Sequence, residues 1–133
     1  MPFGTATVVT TVGKAILADR VRTTPATYSA APKYVAMGTG ATSAARTAAV
    51  ADTALSTAAE TRTSGTESVV TTSTTGDTYQ VVGTITATGS RSVDEGGLFD
   101  ASTAGNMFTS ATFPVVSLST NDSIQFTWKV QLT

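Results

Sequence analysis

Near the C-terminal end, Ile124, Phe126, Trp128, Val130 and Leu132 alternate with Ser123, Gln125, Thr127, Lys129 and Gln131. That period of two belongs to a β-strand with one buried and one wet face. Tyr79, Val81, Gly83, Ile85 and Ala87 repeat the pattern within Thr78–Thr88. Just ahead of them, Thr75-Gly-Asp77 is a hairpin turn signal that joins this segment to a long polar strand over Glu60–Thr74. Further strands are expected over Val93–Ala101 and Met107–Phe113, with turns at Thr103-Ala-Gly-Asn106 and Ser119-Thr-Asn-Asp122. Upstream, residues 5–12 are rich in Thr and Val and read as a first short strand. Gly13–Arg22 then spaces Ala15, Ile16, Leu17, Ala18 and Val21 as one short helix, and Thr23–Pro32, with two prolines, reads as a loop. Lys33–Met37 resumes as a strand that Gly38-Thr-Gly40 breaks. The expected fold is mainly β, an antiparallel β-sandwich with one short N-terminal helix, in a single domain spanning residues 1–133.

The stretch from Ala41 to Ala59 is the exception to this clear patterning. Its alanines favour helix, yet apart from Leu55 it has little to bury, so an extended loop or arm ordered against a neighbour fits equally well. Asp52 has the chemistry of an N-cap for a helical turn running to Leu55. Residues 1–12 likewise read as an N-terminal arm.

Composition narrows the classes of function. Roughly one residue in five is Thr, which suits a pleated surface better than a helix. Charged residues make up 13 % of the chain and the formal net charge is −1. No field exists to gather a polyanion or an anionic bilayer, so neither nucleic acid nor membrane is an expected partner. Such a surface is instead suited to packing against another protein. The N-terminal sequence has neither a basic stretch nor a long apolar run, so it does not read as a secretory signal or a membrane span.

The chain contains no histidine and no cysteine. A Ser-His-Asp or Cys-His nucleophile therefore lacks its base, and zinc lacks its usual ligands. The densest carboxylate group is Asp94, Glu95 and Asp100. Strand neighbours such as Asp94 and Glu95 point to opposite faces and make a poor glycosidase pair, which leaves a hard-cation site as the minor reading and solvated turn residues as the main one. Gly13-Lys14 lacks the rest of a phosphate loop, since Val8 and Ala15 stand where that motif needs Gly and Ser or Thr. Gly38-Thr-Gly40 is more simply a turn than a dinucleotide fingerprint, and Gly96-Gly97 marks a bulge or a close approach. A base at the amino group of Pro2, exposed by loss of Met1, has no companion catalytic group. Trp128 fits the core better than a sugar-stacking platform. The expectation is a chain that is not an enzyme, with no cofactor and no metal.

Five blocks carry a resemblance: Thr11-Val-Gly-Lys-Ala-Ile-Leu-Ala-Asp-Arg20, Lys33-Tyr-Val-Ala-Met-Gly-Thr-Gly40, Asp52-Thr-Ala-Leu55, Gly97-Leu-Phe-Asp-Ala101 and Asn121-Asp-Ser-Ile-Gln-Phe-Thr-Trp-Lys-Val130. In this order they resemble small virion structural proteins of tailed bacteriophages, both capsid decoration (cement) proteins and the N-terminal domain of tail-collar fibres. The Ala41–Ala51 stretch is longer than in either group. The resemblance implies a virion protein, present in the host cytoplasm during assembly, that binds the major capsid protein and copies of itself as a homo-oligomer. Capsid decoration comes first, because a fibre would continue into a shaft where this sequence stops at Thr133. A tail fibre, tail or baseplate adaptor is the alternative, and a carbohydrate-binding module or small enzyme comes last. The apolar and aromatic side chains of the arms and loops, Pro2, Phe3, Val8, Val9, Tyr28 and Leu55, are the candidate interface.

Overall fold

A computed structural model describes residues 6–21, 27–28 and 30–133. Among these residues the order is β1 (Ala6–Val9), α1 (Thr11–Arg20), β2 (Tyr34–Thr39), β3 (Thr57–Ala58), β4 (Thr63–Ser64), β5 (Thr66–Val70), β6 (Thr78–Thr86), β7 (Arg91–Phe99), β8 (Met107–Leu118) and β9 (Ser123–Gln131). Every strand pairing is antiparallel. The larger sheet runs β1-β8-β7-β2, with the short β3 and β4 both paired to β2, and the smaller sheet runs β5-β6-β9. This is the antiparallel β-sandwich with one short N-terminal helix that the alternation implies.

The two sheets meet through the residues of period two. Val35 and Met37 of β2, Val93 and Leu98 of β7, and Phe108, Ala111 and Phe113 of β8 share one core with Val81 and Ile85 of β6 and Phe126, Trp128 and Val130 of β9. Phe126 and Trp128 stack with ring centroids 6.3 Å apart, and Phe113 lies 6.1 Å from Phe126. Trp128 is therefore core. A Cβ on Gly96 would stand 3.1 Å from the Phe126 ring, so the glycine pair admits a close aromatic approach.

Several boundaries differ from those expected, each for a local reason. The helix ends at Arg20, and it starts earlier than the expected Gly13 because Thr10 caps it: its hydroxyl accepts from the Gly13 N–H and donates to the Met107 carbonyl. Gly13 of α1 packs against β8, where a Cβ would come within 2.2 Å of the Phe108 carbonyl oxygen, so packing rather than phosphate binding accounts for it. β2 continues through Gly38 and Thr39, and the chain turns only at Gly40, whose φ is +94°. The polar stretch Glu60–Thr74 is broken into β4, β5 and the approach to the Thr75-Gly-Asp77 turn. β8 runs on to Leu118 with Pro114 inside it. Pro114 falls where the β7–β8 register shifts between Val93 and Glu95, an irregularity at which a missing N–H costs no ladder bond.

The expected arms are bound into the fold. Of residues 1–12, β1 pairs with residues 109–112 of β8 and Thr10 is fully buried, while residues 1–5 lie outside the described residues. Residues 41–56 form no helix, so the expected turn capped by Asp52 is not formed. This stretch is an extended loop laid against its own sheet.

Candidate interaction surface

Alternation along β2 sends Val35 and Met37 to the core between the sheets and Tyr34 and Ala36 to the opposite face. There Ala36 packs with Phe99, Met107 and Leu55 in a second, smaller apolar cluster. Residues 41–57 form a strap over this outer face, running into β3 at its far end. Adjacent carboxylates on β7 hold both of its ends. Asp94 accepts the N–H groups of Ala41 and Thr42 at 3.1 and 2.8 Å, and Glu95 accepts the Thr57 N–H at 3.0 Å.

Arg46 fastens the middle of the strap. Its guanidinium reaches Glu95 Oε2 and Asp52 Oδ2, each at 2.6 Å, and donates to Ser110 Oγ at 3.1 Å. The Ser110 hydroxyl donates to the same Asp52 oxygen at 2.8 Å, and the Ala49 N–H reaches it at 2.9 Å. The Val50 carbonyl accepts from the N–H and the hydroxyl of Thr11, tying the strap to the start of α1. Glu95 and Asp52 thus share the single positive charge of Arg46, and the Thr57 N–H, the Ala49 N–H and the Ser110 hydroxyl supply them with further hydrogen bonds.

Beyond the strap's centre lies a groove of about 580 Å³, with Ala36, Leu55 and Phe99 among its lining residues and segments 58–62 and 102–104 along its sides. The Arg62 guanidinium sits 3.4 Å above the Phe99 ring and donates to the carbonyls of Ala101 and Ala104. Burial lowers its pKa, against a raising influence from Asp100. Glu60 accepts from the Thr88 N–H and from Arg91 Nε, and the Thr88 N–H is the leading cause holding its carboxyl below the usual range. Asp100 accepts from the backbone and side chain of Asn106 across the tight turn before β8. Among the described residues no three carboxylates converge as a cation site.

A second, smaller cleft of about 240 Å³ lies between α1 and the smaller sheet, lined by Ile16, Leu17, Arg20, Pro32, Tyr79 and Phe108 among others. The Tyr79 hydroxyl donates to the Pro32 carbonyl and to Glu67, and burial raises its pKa, helped by Glu67.

The residues read as an interface do not gather into one patch. Val9 and Tyr28 pack against the main core, and Leu55 packs against the smaller cluster under the strap. Val8, opposite Ser110 on β8, is half-buried. Pro2 and Phe3 lie outside the described residues. The large apolar side chains exposed among the described residues are others: Val21, Val50, Val69, Val115 and Leu132. Leu132 falls on the alternation that supplies the core, but it lies past the end of β9, and Val69 sits on the edge strand of the smaller sheet.

No helix among the described residues is long and apolar enough to cross a membrane. Comparison with known protein families, with curated proteins and with solved structures finds no match.

Proposed function

We propose that this chain is a bacteriophage capsid decoration (cement) protein that binds the assembled head shell and stabilises it, with the major capsid protein and copies of itself as partners. The observation that carries the reading is where the polar chemistry goes. Asp52, Asp94 and Glu95 are occupied in fastening the strap, whereas among the described residues exposed valines and open strand edges remain on a surface of low charge. A scaffold of that kind gains most from neighbours that cover its edges. The virion resemblance of the five sequence blocks supplies the kind of neighbour. A shell offers contacts on several subunits at once, so attachment to the lattice exceeds attachment to one free subunit, and bound copies favour the intact shell by mass action.

The test is binding of the purified protein to assembled, undecorated heads and to free capsid subunits, together with the temperature at which particles with and without it release DNA. The expected result is preference for assembled heads and earlier DNA release from particles lacking the protein. Particles that are equally heat-resistant but fail to adsorb to cells would instead favour a tail or baseplate adaptor.

A further inference from the structure

β9 is the longest regular strand that pairs on one side only. All nine of its residues pair with β6, and among the described residues no strand lies along its other edge. The hydrogen-bond phase follows from its ends, where Ala87 N–H donates to the Asp122 carbonyl and Leu132 N–H donates to the Asp77 carbonyl. In an antiparallel ladder the residues facing the partner alternate, so the even-numbered residues 124 to 130 bond to β6. The N–H and C=O groups of Ser123, Gln125, Thr127, Lys129 and Gln131 therefore point out of the sheet edge.

We infer that this edge pairs with β9 of a second copy of this chain, antiparallel about a two-fold axis through Thr127, so that two three-stranded sheets become one of six strands. The sequence is self-complementary in that register. Thr127 meets its own copy, Gln125 faces the partner copy's Lys129, and Ser123 faces the partner copy's Gln131. All the outward backbone groups then find partners, no like charges stand opposite one another, and the isologous contact closes on itself without forming a fibre. The competing edges are poorer: β5 has five residues and carries Glu67, β1 has four, and β3 and β4 have two each. This pairing concerns the free protein and stands apart from attachment to a shell.

Sedimentation of the full chain over a concentration series tests it. A monomer–dimer equilibrium is expected. Gln125→Glu places a carboxylate opposite Lys129 twice per dimer and should tighten association roughly two- to thirty-fold at low salt, whereas Gln125→Lys should weaken it by a similar factor. Thr127→Pro removes an outward N–H without touching the β6 ladder, so it should give a monomer with an unchanged circular dichroism spectrum. If that variant misfolds, the Gln125 pair still decides. A chain that stays monomeric to about 1 mM, or a dimer indifferent to both charge changes at Gln125, would overturn the inference.

Discussion

Arg46 sits between two carboxylates that are themselves nearly out of reach of water, Glu95 with no side-chain exposure and Asp52 with 15 %. Removing one member of such a set strands the others without compensation, which is far more costly than the set is stabilising. Arg46→Ala should therefore destabilise the fold by about 3–5 kcal/mol in a denaturant titration. Arg46→Lys should recover only part of this, because one ammonium cannot reproduce a fork that serves Glu95, Asp52 and Ser110 together. A loss below about 1 kcal/mol for the alanine variant would mean that the strap is held by its apolar contacts instead. None of this was visible in the sequence. The segment around Arg46 has few large apolar residues, and apolar content is what a one-dimensional reading weighs. Its anchors are polar and lie 49 and 64 positions away in the chain.

Among the elements, the hairpin of β5 and β6 was the most legible, because a turn signal and a period of two agree there. The turn is held by Asp77, which accepts N–H groups from Thr72, Ser73 and Thr74 and the hydroxyl of Thr78. The backbone N–H groups, Thr74 first, hold its pKa well below the ordinary aspartate range. A depressed native pKa means that the carboxylate stabilises the fold above the unfolded value near 3.9, and that this contribution fades as pH falls from there toward the native value. Asp77→Asn should lower the thermal midpoint at pH 7, and the gap from wild type should narrow as pH falls below about 4. A gap that does not change with pH would show that the ionised form is not what the turn requires. β7 was harder to read for an opposite reason. It is buried on both faces from Val93 to Phe99, so the polar half of the alternation is lost, and its Asp94 and Glu95 look like solvated residues until the strap is seen above them.

For the molecule as a whole, the sandwich and the first short strand within residues 5–12 could be read from the sequence, but the partner of that strand could not, because β8 is distant along the chain. β1 covers the edge of β8 over residues 109–112, and Val9 packs against the core. Deleting the residues up to Val9 should uncover that edge, lower the thermal midpoint and cause concentration-dependent light scattering on heating. An unchanged melt would mean that β1 is dispensable. The same pairing also sets an order in time. Thr10 and its acceptor Met107 are 97 positions apart, so β1 must wait for β8 to be made before it has anywhere to go. β9, which brings Phe126 and Trp128 to the core, emerges later still. Neither sheet can be completed until β8 and β9 have been made. The sandwich is therefore completed late, through long-range pairings that form slowly and leave strand edges open meanwhile.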